Sequence, residues 1–177
     1  MAKYEQAHQE HIFEPIYNKD SRILILGTFP SVKSRENQFY YGHPQNRFWK
    51  VLAALYDRES LATIEEKKVF LLQNQIAIWD VIASCDITGS SDSSIKNVVP
   101  TDLNVILENA NIEKIYANGT TAAKLFRKYQ EQVVKREIVC LPSTSPANAA
   151  YSLERLVECW KVCKVDDELR QDSNNIN

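Results

Sequence analysis

The chain has 177 residues, 44% of them hydrophobic and 25% charged, with a formal charge of −2. That length suits one domain with a real core, and the composition is that of a globular protein rather than a disordered or fibrous one. No apolar run approaches the ~20 residues of a membrane span, the polar start MAKYEQAHQEHIFEP is unlike a secretory signal, and the charge argues against a strongly basic nucleic-acid binder.

In chain order, His8 and His11 fall in the polar N-terminal segment and read as surface residues. RILILG (22–27) is a short apolar run ending in glycine, the pattern of a buried strand. A long loop follows to about residue 45, and NRFWKVLAALYD (46–57) then has apolar residues at helical spacing. Asn46 stands at the N-cap position, where its side-chain oxygen can accept from the first free amides of the helix. Residues 61–73 predict another helix and IAIWDVI (76–82) a second strand. CDITGSSDSSIKN reads as a polar loop and LNVILENAN (103–111) as a helix. KIYANG (114–119) and EIVCLP (137–142) are the third and fourth strands, each leading through a loop to a helix. In the last helix Leu153, Leu156, Val157 and Trp160 share one face, and the polar residues 165–177 form an acidic tail of net charge −3. Residues 1–164 are therefore expected to be a single domain.

Alternating strands and helices imply an α/β fold with a parallel sheet covered on both faces. Ligands of such folds bind at the carboxyl ends of the strands. GTFPS, WDVIASCD, NGTTA and LPSTSPANA thus converge on one rim, together with the aromatic and polar block FYYGHPQNRFWK (39–50).

The absence of GxGxxG and GxxxxGK[ST] argues against a dinucleotide or P-loop protein. NGTTA could hold a single phosphate on helix amides, or be a plain strand-to-helix turn capped by Thr120. Cys159 and Cys163 lie four apart without a CxxC or HxxxH, so buried reduced thiols are expected and no metal. The lack of a signal segment and of a disulfide framework points to a cytoplasmic protein. Ser31, His43 and Asp80 could be imagined as a hydrolase triad, but no GxSxG elbow supports it. Base recognition fits better. Phe29, Tyr40 and Tyr41 offer faces for a flat ring, while Asn46 and Asn118 offer amides that both donate and accept. Phe48 and Trp49 read as core. Within 31–50, Lys33, Arg35, Arg47 and Lys50 face only Glu36, which suits contact with a few phosphates.

ILGTFPSV, YYGHPQNRFWKVL and LPSTSPANAA together resemble the uracil-DNA glycosylase superfamily. HP-x-NRFWK is similar to its mismatch-specific uracil/thymine branch, and GTFPS and LPSTSPA to its hypoxanthine-DNA (deoxyinosine) branch. The resemblance covers about residues 20–164. It implies a three-layer α/β/α sandwich around a four-stranded parallel sheet, and a cofactor-free, monofunctional enzyme. Such an enzyme flips a deaminated base, hypoxanthine or uracil, out of DNA and hydrolyses its glycosidic bond, leaving an abasic site.

Carried over by position, Gly27, Thr28, Phe29, Pro30 and Ser31 form the loop holding water and sugar, and Tyr41 stacks on the base. Ser143, Thr144, Ser145 and Asn148 belong to the loop that pinches the backbone and fills the vacated stack. On their own chemistry, Lys33 and Arg47 are the expected phosphate contacts and Asn118 a base contact. The first loop lacks the acidic residue or asparagine of several branches; the resemblance to the deoxyinosine branch, in which the asparagine of the HP-x-N block compensates, implies Asn46 as the catalytic amide, with the helix cap as the other reason for its presence. The last motif also lacks the histidine of strong uracil enzymes. The expected partner is DNA, bound by a monomer. A non-catalytic binder of damaged or single-stranded DNA, and a nucleoside hydrolase, are the alternatives.

Overall fold

The structure, a computed structural model, describes residues 4–165. The expected acidic tail beyond Val165 lies outside the described residues. Four strands form a parallel sheet: β2 (Ile23–Gly27), β3 (Ile76–Asp80), β6 (Lys114–Asn118) and β7 (Val139–Leu141), in the order β3-β2-β6-β7. In β2, β3 and β6 the side chains alternate between two buried clusters, as a period of two requires when both faces are covered, whereas in the edge strand β7 only Leu141 is buried.

Ile23, Ile25, Ile76, Ile78 and Tyr116 pack with α2 (Phe48–Leu55), α3 (Ile64–Gln73) and α7 (Leu153–Trp160). Leu24, Leu26, Ala77, Ile115 and Ala117 face the opposite way, towards α4 (Asn104–Leu107) and α5 (Thr120–Tyr129). The sandwich has the expected three layers. Phe48 and Trp160, both fully buried, meet edge to face at 5.9 Å. Burial of each such side chain contributes roughly 1.5–3 kcal/mol. Phe48 and Trp49 are core, as the helical spacing predicts.

Three local expectations need correction. CDITGSSDSSIKN is not all loop. Its first residues belong to β4 (Ile82–Thr88), the centre of a second, antiparallel sheet with β1 (Gln6–Glu10) and β5 (Lys96–Pro100). Cys85 and Ile87 alternate inward between polar residues, a pattern hidden among turn formers. The helix expected over 103–111 shrinks to the single turn α4. Gly119, at φ +97°, rather than Thr120, precedes α5, and no side chain caps that helix. Its conformation is one that glycine adopts without strain. Helix α3, by contrast, begins with a full capping box, Thr63 Oγ1 accepting from Glu66 N while the Glu66 carboxylate accepts from Thr63 N.

Register aligns the strand ends. Gly27 pairs with Asp80, Leu26 with Ala117 and Asn118 with Leu141, so the loops after all four strands leave from one row. One more expectation is corrected after β2: the long loop expected to about residue 45 contains a short helix, α1 (Val32–Asn37), capped by Ser31, and α6 (Glu131–Val134) follows α5.

Candidate active site

A cleft of about 520 Å³ opens above this row, within the size range of small-molecule sites. Gly27 to Ser31, Tyr40, Tyr41, Asn46, Asn118 and Ser143 to Ala147 all line it. The three sequence blocks that carry the family resemblance therefore meet in one place.

The orientation of Asn46 is fixed by hydrogen bonds. Its Oδ1 accepts from Phe48 N at 3.0 Å and from Thr144 Oγ1 at 2.8 Å. Thr144 Oγ1 accepts in turn from Asn118 Nδ2 at 2.9 Å, and Thr144 N donates to Asn118 Oδ1 at 3.0 Å. Two backbone N–H groups, which can only donate, set the direction of the whole relay. Both lone pairs of Asn46 Oδ1 are engaged, so the group it can offer to the cleft is its NH₂. The formal N-cap of α2 is Arg47, and Asn46 serves the first turn from one residue earlier. Capping and a free donor thus coexist in one carboxamide.

Asn118 fares differently. One donor and one acceptor of its amide are held by Thr144, itself fully buried, so the structure gives Asn118 the task of orienting Thr144. Tyr41 has a left-handed backbone, φ +53°, and its ring stacks on Phe48 at 3.9 Å. Its buried hydroxyl has no hydrogen-bond partner among the described residues. Burial, and then the charge of Asp80, push that hydroxyl far above the usual phenol range, so it is neutral; the Asn118 amide opposes them weakly without hydrogen-bond geometry. Phe29 lines the cleft with the Arg35 guanidinium 5.7 Å over its ring. Thr28 and Pro30 are buried, and Ser31 caps α1 by accepting from Ser34 N at 3.2 Å.

The loop after β7 is shaped by its own side chains. Ser143 Oγ accepts from Ser145 N, Asn148 Nδ2 donates to Ser143 O, and Pro146 and Ala147 stand exposed at the tip. Arg47, expected on phosphate, donates instead to the carbonyls of Tyr151, Ser145 and Asn148, which fastens this loop to α2. Arg35 likewise donates to Pro30 O and Gly89 O. Lys33 is exposed but pairs with Glu36 at 3.2 Å and is not among the cleft-lining residues. The two arginines of the basic window are therefore turned inward, because guanidinium forks satisfy loop carbonyls that no ladder reaches, while Lys33 and Lys50 stay exposed.

Sequence reasoning missed one feature. His11, expected on the surface, is buried with its Nε2 2.7 Å from Asp80 Oδ2; the two side chains are 4% and 6% exposed. Asp80 was legible as a strand-end residue on the rim, but its partner lies 69 positions away and no local pattern joins them. Asp92, in the turn between β4 and β5, also lines the cleft, and lost solvation followed by the Asp80 charge pushes its carboxyl up. Among the described residues no group of three or more His, Cys, Asp or Glu could hold a metal ion, and no helix is long and apolar enough to cross a membrane.

Comparison with known proteins agrees with this geometry. A protein of Methanosarcina acetivorans named hypoxanthine DNA glycosylase is 31% identical over 151 residues, which is 84% of this chain and 94% of that protein. A protein of the same name from Methanosarcina barkeri is 32% identical over 110 residues, 60% of this chain and 69% of the relative. The solution NMR structure of a candidate uracil DNA glycosylase from M. acetivorans superposes with a TM-score of 0.72 at 31% identity, covering 85% of this chain and 92% of that one. The family model described as the uracil DNA glycosylase superfamily matches residues 14–164. With the fold, the rim and that match in agreement, the chain belongs to the uracil DNA glycosylase superfamily.

Proposed function

We propose that the protein is a monofunctional DNA glycosylase that extrudes a deaminated base, hypoxanthine by preference and mispaired uracil as a second substrate, and hydrolyses its N-glycosidic bond to leave an abasic site. The observation that carries this reading is the Asn118–Thr144–Asn46 relay, which leaves an immobilised NH₂ donor at a cleft of base-binding size. The names of the Methanosarcina relatives support hypoxanthine.

Bond cleavage leaves positive charge on the sugar and negative charge on the departing base. A donor fixed before the reaction stabilises that anion without reorganisation, and one such donor contributes roughly 3–4 kcal/mol to the transition state. The Asn46 NH₂ has this role. Donation to the attacking water would instead blunt its nucleophilicity. The Gly27–Ser31 loop is the wall that holds the water and the sugar, and the Tyr41 ring, backed by Phe48, is the platform for the base. Pro146 and Ala147, exposed at the tip of a tied loop, enter the vacated stack. Extrusion costs a few kcal/mol and least at a mispair, so lesions are selected before chemistry begins.

The test uses duplexes carrying hypoxanthine, uracil or no lesion, followed by alkali. Scission at hypoxanthine is expected, whereas retention of the duplex without scission would establish the DNA-binder alternative. Asn46→Asp separates capping from chemistry, since aspartate caps as well as asparagine but turns an oxygen to the cleft. Expected is a rate loss of about 10²–10³-fold with stability kept; a parental rate would reject the donor role.

A further inference from the structure

The His11–Asp80 pair lies outside the roles given so far. A carboxylate this buried needs compensation, yet among the described residues no lysine or arginine forms an ion pair with it, and His11 supplies its hydrogen bond through Oδ2. The other oxygen, Oδ1, lies over Gly27. A Cβ there would fall 2.4 Å from it and 2.9 Å from Tyr41 Oη, so glycine is required for the carboxylate to occupy this part of the cleft.

His11 is held as firmly as Asp80. Its backbone N donates to Ala83 O at 2.8 Å, and its ring is caged by Phe13, Tyr40 and Phe29 at 4.6, 5.9 and 6.1 Å. It lies before residue 14, where the family match begins.

We propose that Asp80 reads the ring N–H of the extruded base, and that His11 is a positioning residue that decides which carboxylate oxygen does the reading. This rests on the glycosylase reading and extends it to substrate choice. A carboxylate only accepts hydrogen bonds. Hypoxanthine and uracil carry a ring N–H beside a carbonyl, whereas adenine and cytosine present a lone pair at the same position. Oδ1 therefore attracts the deaminated base and repels its parent. A site built to hydrogen-bond one group rejects the analogue lacking it by about 10⁴–10⁵-fold. Guanine and thymine also carry the ring N–H, and pairing keeps them in the stack.

The experiment compares kcat/KM on duplexes with hypoxanthine or adenine at one position, for the parent protein and Asp80→Asn, with thermal unfolding to confirm that each variant is folded. In Asp80→Asn the His11 donor keeps the amide oxygen on its own side and turns the NH₂ to the cleft. Cleavage of hypoxanthine should fall about 10–100-fold, because its ring N–H then meets a donor in place of an acceptor, and the hypoxanthine-to-adenine ratio should fall with it. An unchanged ratio overturns the inference, and Asp80→Ser gives the same reading if Asp80→Asn does not fold.

For His11, the readout is the same selectivity ratio and its rescue. His11→Ala should lower the hypoxanthine-to-adenine ratio, because the carboxylate loses the donor that holds Oδ2 and fixes which oxygen faces the base, and His11→Gln, which keeps a donor, should restore it. A parental ratio in His11→Ala overturns the positioning role. If the parent protein cleaves no lesion, the glycosylase reading falls and this inference with it; cleavage with unaltered selectivity in Asp80→Asn removes the inference alone.

Discussion

Thr144→Val is the sharpest test of the relay, because it replaces one hydroxyl by a methyl of similar size. Thr144 Oγ1 makes two hydrogen bonds, at 2.9 Å from Asn118 Nδ2 and at 2.8 Å to Asn46 Oδ1. Thr144 is fully buried and Asn118 is 9% exposed, so water cannot readily replace what is lost. Leaving the Asn118 donor without its partner costs about 1–3 kcal/mol. For a chain of this size that lowers Tm by about 2–12 °C. Asn46 keeps its bond from Phe48 N but loses the second tether, so its NH₂ is no longer held in one place. Single-turnover cleavage of a hypoxanthine duplex, with enzyme in excess, should slow at least about tenfold, up to the roughly 10²–10³-fold expected when one fixed donor is removed. The decisive measurement is the double variant. If Thr144 acts through Asn46, Thr144→Val has no further effect on the rate in an Asn46→Ala background, and the coupling is about as large as the single loss. Losses that multiply would refute the relay as the device that orients Asn46.

Further outcomes follow from the same contacts. Since Arg35 and Arg47 bind carbonyls, Lys33 and Lys50 are the exposed cations of the 31–50 window that remain for phosphate. The slope of log K against log salt for duplex binding should be shallow, about −1 to −3 at roughly −0.9 per phosphate; a slope near −6 would contradict the inward-turned arginines. Asp92 has its carboxyl raised to about 6 in the folded protein, so the native state holds its proton more tightly than the unfolded chain and stability declines as pH rises from about 4 to 6. Asp92→Asn should remove that decline and stabilise the protein above pH 6, by a small amount because Asp92 is exposed; denaturant midpoints across that range check it. Cys140 is exposed and Cys159 half-buried, whereas burial pushes Cys85 and Cys163 up to about 11 and about 12. A thiol reagent should label Cys140 and Cys159 first in the native protein, and reach Cys85 and Cys163 only on unfolding.

Sequence by itself determined the four parallel strands, because each centres on a short apolar run beside a helical period, and that pattern depends only on neighbours along the chain. It also placed Asn46, Tyr41, Asn118 and the 143–148 loop on one rim, since the rule of strand carboxyl ends needs no contacts. The second sheet escaped because Cys85 and Ile87 alternate too briefly among turn formers to register as a strand. Direction and partnership were decided only by the tertiary structure. Asn46 donates to the cleft because Thr144 and Phe48 occupy its oxygen, Arg47 faces loop carbonyls 98 and 101 residues away, and His11 meets Asp80 across 69. A side chain's type sets what it can donate or accept, but which of those options stays open depends on the atoms that folding brings against it.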